Sequence, residues 1–270
     1  MDYREYAPMP PLRAVVDRIW TLEGHALPAD AAAEPVLPDG RPELILHFGD
    51  SFDRIETDGS RARQARVLYA GQVTGPLLLR PAGRIAVLGV RFHPFGGAAV
   101  LAPPQHELAG RTLGIDGISM PLKRALERVE DSGDLAQAAR AVQHLLLRYC
   151  HVGAIDPRVR FVTETIERQG GVLSIDGVAH TAGLTRRHLE RRFLDVVGVT
   201  PKRLARIVRF QRALQFLQRS AGPRGGAETA AASGYADQSH FIRDFRQFAG
   251  CSPAEHLLRH GELTGFFIER

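Results

Sequence analysis

"GYADQSHFIRDFRQFAGCSP", residues 234–253, places phenylalanines at 241, 245 and 248, the three- and four-residue spacing of one helix face. "GLTRRHLERRFLDVVGVTP", residues 183–201, repeats the design. Leu189, Phe193, Gly198, Thr200 and Pro201 return as Phe241, Phe245, Gly250, Ser252 and Pro253, each 52 positions later. His188 returns as His240 and Arg191 as Arg243, while upstream the offset is 51, from Gly183 to Gly234. Such an internal repeat governs the fold before any single element does.

Each copy reads as helix, turn, helix. Ser174 can cap a helix carrying Ile175, Val178, Ala179 and Ala182. Gly183 stops it, because glycine tolerates the left-handed conformation a helix end requires. Thr185 caps the next helix, and Gly234, Tyr235 and Asp237 take the corresponding places in the second copy. Two helices joined by a short glycine turn define a helix-turn-helix. At about 100° per residue, Leu189, Phe193 and Val196 share an inward stripe, while Arg187 and Arg191 point to the other side. In the second copy Phe241, Phe245 and Phe248 make the stripe, and Ser239 and Arg243 project outward. A helix anchored by apolar residues and offering arginine outward is what reading the DNA major groove demands.

Between the copies, "TPKRLARIVRFQRALQFLQR" (200–219) reads as one helix with Thr200 as its cap. Leu204, Ile207, Val208, Leu214 and Leu217 form its apolar face, and Lys202, Arg203, Arg206, Arg209 and Arg212 crowd the rest. Its length of roughly 30 Å suits two reading heads set one DNA turn, about 34 Å, apart.

Charge follows the same division. Residues 1–153 hold 17 Lys or Arg against 18 Asp or Glu, whereas residues 154–260 hold 17 against 10. Within 183–219 there are ten basic residues and two acidic ones, a one-sided cluster that points to a polyanion. The two cysteines, Cys150 and Cys251, are too few and too far apart for a disulfide framework or a zinc site. With no apolar run of membrane-spanning length and no secretory signal in "MDYREYAPMP", a cytoplasmic setting is expected, with no membrane partner.

The front of the chain has a different grammar. "RIWTLEG" (18–24), "ELILHFGD" (43–50), "ARVLYAG" (65–71), "GPLLLR" (75–80) and "RIAVLGVRF" (84–92) have strand length and composition, separated by turn residues. They predict an antiparallel sandwich or barrel. From residue 119 the spacing becomes helical, with a break at Gly133-Asp134. Two helices forming a connector are expected there, to bridge domains or pair with a second copy. The resulting fold class is α+β, divided into a β-rich sensor or assembly domain (1–118), a helical connector (119–152), a DNA-binding domain (153–260) and a tail (261–270).

Residues 155–260 resemble the DNA-binding domain of the AraC/XylS family of bacterial transcription regulators. The likeness is most specific in "GYADQSHFIRDFRQFAGCSPAEH" and "GLTRRHLERRFLDVVGVTPKRLARIVRFQRAL". It implies that bases are read by Arg187, Glu190 and Arg191 of one helix and by Gln238, Ser239 and Arg243 of the other. Thr185 and His240 sit where the family touches or supports phosphate contacts, and Arg186, His188, Lys202 and Arg203 complete the expected backbone set. The first helix of the second motif departs from the family, with Gly226 and Thr229 in place of larger aliphatics. More faintly, "VLPDGRPELILHFGD" and "LLLRPAGRIAVLGVRFHPFG" resemble the small β-rich N-terminal domain of one subgroup. The implied partners are double-stranded DNA, RNA polymerase, a small-molecule effector and a second copy of the chain.

His47 and His93 lie on or beside predicted strands without the paired-histidine spacing of a cupin metal site, and read as satisfied structural histidines. Asp39, Glu43 and Arg91 could line a ligand pocket, though turn and salt-bridge roles are the ordinary reading. Trp20 reads as core and Cys150 as a small buried hydrophobe rather than a redox sensor. No GxSxG, P-loop, HExxH or dinucleotide-binding motif occurs in context, so no enzyme, metal or cofactor is expected. The competing readings are an architectural or nonspecific nucleic-acid binder and a ligand-modifying enzyme fused to a DNA module. If the basic cluster meets DNA at roughly five to eight phosphates, log affinity should fall against log salt with a slope of about −4 to −7. A salt titration with a slope near zero would remove the polyanion reading.

Overall fold

A computed structural model describes residues 1–25, 33–56, 58–151, 153, 155–219 and 226–258. The tail beyond 258 lies outside the described residues. Among the described residues ten strands precede the helical half: β1 (Asp2–Tyr6), β2 (Val16–Gly24), β3 (Glu34–Val36), β4 (Glu43–His47), β5 (Asp53–Ile55), β6 (Arg61–Arg63), β7 (Val67–Ala70), β8 (Leu77–Arg80), β9 (Ile85–Phe92) and β10 (Thr112–Gly114). All five segments expected from composition are strands. The other five are short or lack alternation. Helices follow as α1 (Gln105–Leu108), α2 (Met120–Glu130), α3 (Leu135–Tyr149), α4 (Pro157–Arg168), α5 (Ile175–Thr181), α6 (Arg186–Val197), α7 (Pro201–Arg219), α8 (Gly226–Ala232), α9 (Gln238–Ala249) and α10 (Pro253–Leu258).

The strands form two antiparallel sheets, one in the order β1-β2-β9-β4-β7-β10 and one in the order β3-β8-β5-β6. Strand β4 shows how the large sheet is used on both sides. Leu44 and Leu46 are buried in the core shared with the helices, while Glu43, Ile45 and His47 line a cavity. Alternate side chains of a strand face opposite ways, so one five-residue segment serves two interiors. Trp20 on β2 is paired in register with Gly89 on β9. Its indole lies where any larger residue at 89 would collide, since a Cβ there would sit 2.1 Å from Cε2.

Helices α2 and α3 were expected as a connector; they are also the cover of the large sheet. Leu122, Leu126, Ala138, Ala139, Val142 and Leu146 are buried in the same cluster as Ile19, Leu44, Leu88 and Val90. Caps set their ends: Ser119 accepts from the Leu122 amide, and Asp134 from the Gln137 amide at 2.7 Å. A fragment ending at residue 110 would leave that sheet face bare. It should show no cooperative melt by circular dichroism, whereas a fragment ending at 151 should melt cooperatively. Cooperative unfolding of the shorter fragment would show that the helices are dispensable.

In the C-terminal half the repeat becomes geometry. Ser174, Thr185 and Asp237 each accept a hydrogen bond from the backbone N–H three residues on. Gly183 and Gly234 end the first helices at φ 67° and 79°, and Gly198 and Gly250 end the second at φ 89° and 73°. Leu189 and Phe193 are fully buried as expected, but Val197 rather than Val196 completes the stripe. On α7, Phe210 and Gln211 join the buried face expected of Leu204, Ile207, Val208, Leu214 and Leu217, while Val208 is only half-buried.

Candidate functional site

The outward surface of the two motifs is assembled by burying the opposite one. In α6, Arg187, His188 and Arg191 are exposed while Leu189 and Phe193 hold the helix down. In α9, Gln238, Ser239 and Arg243 are exposed above Phe241, Phe245 and Phe248. Arg191 and Arg243 thus occupy equivalent outward positions.

The remaining expected contacts have partners that qualify their roles. Glu190 accepts from Arg186 Nε at 3.0 Å, and Arg186 also reaches Asp176 at 3.3 Å. Thr185 Oγ1 accepts from the His188 amide. His240 is half-buried, edge-on to the Tyr235 ring and 4.0 Å from Asp244, whereas its equivalent His188 is exposed. Lys202 is exposed. Arg203 departs from an outward phosphate contact: its guanidinium donates to the Thr74 carbonyl and lies 4.8 Å from the Phe248 ring centre. Burial disfavours its charge and lowers its pKa.

Arg206 and Arg209 also turn inward. Arg206 donates to Asp244 at 2.7 Å and lies over Phe248, and Arg209 lies over Tyr235. Asp244 is only 1% exposed, so this ion pair fastens α9 to α7. Sequence periodicity had Arg206 and Arg209 on the solvated side. The signal that could have found them is Asp244, an acid placed on the inner side of α9 one residue before Phe245.

Both motifs touch the β domain. Gly198 packs against the Gln105 carbonyl and Gly250 against Pro76, the two being repeat-equivalent positions. His106 Nδ1 lies 3.4 Å from Asp195. The segment 37–41 makes a closer connection. Leu37 is buried among Ile207, Phe210 and Leu214. The Pro38 carbonyl accepts from Gln211 at 2.7 Å, and Arg41 pairs with Glu167 on α4 at 2.9 Å. Gly40, at φ 80°, faces Leu204 so closely that a Cβ would stand 2.8 Å from Cδ1.

The residues singled out in the front half gather around a cavity of about 60 Å³ between the sheets. Trp20 is buried there and its Nε1 donates to Glu43 at 3.3 Å. Asp39 accepts from Arg91, and Arg91 Nη1 stands 3.9 Å from Glu43. Asp39, Glu43 and Arg91 therefore form one charged cluster, with Asp39 and Glu43 on the cavity wall. Burial pushes the Glu43 carboxyl up to about 7, partly opposed by Arg91. His47 and His93 do not meet, since His47 is paired in register with Val87 near one end of β9 and His93 follows the other. His93 is satisfied by Arg41 and the Arg13 carbonyl. His47 is 1% exposed, and Gln64 is the side chain whose hydrogen bonding to its ring partly opposes the effect of burial. Burial pushes it down to about 4, so it is neutral at physiological pH. Cys150 is half-buried with its thiol pushed up to about 11 by burial, the behaviour of an inert hydrophobe.

The fold is a β sandwich with a helical cover, followed by two helix-turn-helix motifs on a shared rod. A family model described as a helix-turn-helix domain matches residues 178–259, and one described as a domain of unknown function matches residues 4–114. A probable AraC family transcriptional regulator from Rhodopseudomonas palustris CGA009 is 30% identical, the match covering 38% of this chain and 97% of that one at a TM-score of 0.35. The RCS-specific HTH-type transcriptional activator RclR of Escherichia coli is 29% identical over 119 residues. That match covers 44% of this chain and 39% of RclR, so the chain spans well under half of that relative. ToxT from Vibrio cholerae is 12% identical over 89% of this chain and 98% of its own, with a TM-score of 0.47. The chain belongs to the AraC/XylS family of transcription regulators. Among the described residues, no helix is long and apolar enough to cross a membrane.

The Glu43 proton has a thermodynamic consequence. A carboxyl raised from 4.5 to about 7 keeps in the folded state a proton that the unfolded chain has released. Its contribution to stability is full below about 4.5 and is lost as pH rises through about 7. Urea denaturation at pH 5 and pH 7 should therefore show Glu43→Gln gaining stability relative to wild type at the higher pH. An unchanged difference between the two proteins would mean the carboxyl is ionised throughout.

Proposed function

We propose that the chain is a sequence-specific double-stranded-DNA-binding transcription regulator whose two recognition helices, α6 and α9, read separate patches of one site. The observation that carries this is the equivalent exposure of Arg191 and Arg243 on helices whose other faces are buried. Arg187, Gln238 and Ser239 extend the reading surfaces, and Arg186 with Glu190 forms a pair that can orient α6 over base edges. Exposed Lys202, with Thr185, His188 and His240 at the helix starts, supplies backbone affinity. Because Arg203, Arg206 and Arg209 engage the protein itself, the salt slope should lie toward the shallow end of its range, near about −4. Control by a small molecule acting through the β domain is part of this reading, supported by the contacts that segment 37–41 makes with α4 and α7.

Arginine can donate two hydrogen bonds to a guanine edge, and such a pair discriminates by about 1–3 kcal/mol. Arg191→Ala and Arg243→Ala should each weaken specific binding by about that amount. Selection of random DNA by each variant should show relaxed preference in two different patches about 10 base pairs apart. Equal loss on every sequence would reduce both arginines to phosphate contacts. Relaxation of the same base pairs would rule out two separate heads.

A further inference from the structure

Helices α2 and α3 each present a second stripe beside the one they bury on the large sheet. At the three- and four-residue spacing of one helix face, positions from 121 to 129 on α2 and from 141 to 149 on α3 line an open groove of about 580 Å³. With a rise of about 1.5 Å per residue, each stripe runs roughly 12 Å, a little over two helical turns. The Tyr149 hydroxyl donates to the Pro121 carbonyl at 3.2 Å and ties the two helices together at one end of the groove.

Floor and rim differ in chemistry. Val129, Leu145, Ala125 and Ala141 make an apolar floor, and the two alanines leave room that longer side chains could enter. Arg124, Arg128, His144 and Arg148 stand exposed around it. Arg124 and Arg128 are four residues apart on one helix, where like charges repel. The acids of this region do not offset them. Glu127 pairs with Lys123, Glu130 pairs with Arg66 at 2.8 Å, Asp134 caps α3, and neither these nor Asp131 line the groove. Among the described residues none of the three arginines has an acidic partner, whereas Arg18, Arg41, Arg54, Arg80 and Arg91 of the same half are all paired. Residues 1–153 hold 17 basic residues against 18 acidic ones, so this rim is a local concentration and not a general excess.

Charge and shape together select the occupant. A two-fold pairing of copies sets the same patch of each against the other, which here would bring the arginines face to face. A nucleic-acid backbone would satisfy the rim but leave the apolar floor without a counterpart. A small anion would meet the rim at one point of a groove two turns long. An amphipathic helix fills both parts, because apolar residues at three- and four-residue spacing enter the floor while carboxylates on its flanks meet the arginines. Arginine suits that role, since its planar fork binds a carboxylate through two hydrogen bonds.

We infer that the groove between α2 and α3 is a docking site for an acidic amphipathic helix of another protein. Arg124, Arg128 and Arg148 bind its carboxylates, and Ala125, Val129, Ala141 and Leu145 receive its apolar side chains. The surface is separate from the recognition helices α6 and α9, and the inference stands apart from what DNA they read.

The probe is a capped, labelled peptide of about four helical turns, with leucine at three- and four-residue spacing and glutamate on both flanks. Two controls keep its length, one with lysine for every glutamate and one with serine for every leucine. Fluorescence anisotropy with the full chain should show saturable binding of the probe, and each control should bind about tenfold more weakly or not at all. Replacing the three arginines together (Arg124→Gln, Arg128→Gln and Arg148→Gln) should weaken the probe about tenfold, because exposed ion pairs each contribute only a few-fold. All three side chains are exposed, so the circular dichroism spectrum should not change. No saturable binding of the probe, equal affinity for the serine control, or unchanged affinity in the triple variant overturns the site. The three-peptide comparison on the wild-type chain stands whether or not the variant folds. Sedimentation of the chain alone tests the second copy: a dimer that the triple variant dissociates would make the groove a self-interface and overturn the heterologous partner. Loss of affinity for random-sequence duplex DNA in the same variant would make the rim a phosphate contact, and would overturn it too.

Discussion

Burial of helix α7 is the constraint on which the C-terminal half depends. Leu204 belongs to the core that holds the first motif, with Leu189, Phe193 and Val197. Ile207, Phe210 and Leu214 belong to the core of the second, with Phe241, Phe245 and Phe248. Each motif buries its apolar face against this helix, as repeated units bury their faces against a neighbour. One helix completes both, and because a helix is stiff it also sets the angle and distance between the two reading faces. The Arg206–Asp244 pair fixes the register of α9 on that rod. A buried pair of this kind is weak evidence for net stability, but removing either partner strands a charge and is costly.

The β domain is the second clamp on the same rod. Gly198 and Gly250, which end the two recognition helices, both abut it, and segment 37–41 presses on α7 between them. The relative placement of the heads is therefore set by three surfaces of one domain rather than by the rod alone. A displacement of that domain would act on the rod and on both helix ends at once.

Most of the DNA-binding architecture was legible because it is written twice. The 52-residue repeat, the glycines at helix ends and the capping residues are local signals, and each copy corroborates the other. Five of the ten strands were legible from composition, while Asp53–Ile55 and Arg61–Arg63 are three-residue segments with no alternation to read. Periodicity showed that α2 and α3 have apolar faces but not what they cover, since that depends on pairings distant in sequence. The inward turn of Arg203, Arg206 and Arg209 was hidden for the same reason: a basic residue on a helix reads as solvated until the ring or carboxylate opposite is known. That His47 and His93 lie apart, at opposite ends of β9, depends likewise on pairing that composition does not carry.

The two copies differ in how they are held, and the difference has a consequence. Beneath α6 the contacts are aliphatic, from Val178, Ala179 and Leu184. Beneath α9 they include the hydroxyls of Thr229, Ser233 and Tyr235, each buried without a hydrogen-bond partner among the described residues. At about 1–3 kcal/mol for each unsatisfied group, the second motif carries a deficit that the first does not. It is offset by edge-on and tilted ring contacts of Phe210 with Phe245 and Phe248, by the Arg206–Asp244 pair and by the contact of Gly250 with Pro76. The last of these belongs to the β domain, so part of the support of the copy with the weaker core comes from outside the helical half. Local stability differences of this sort mark the element that moves first. By that criterion the element expected to move first is α9, and the surface it would carry with it is that of Gln238, Ser239 and Arg243.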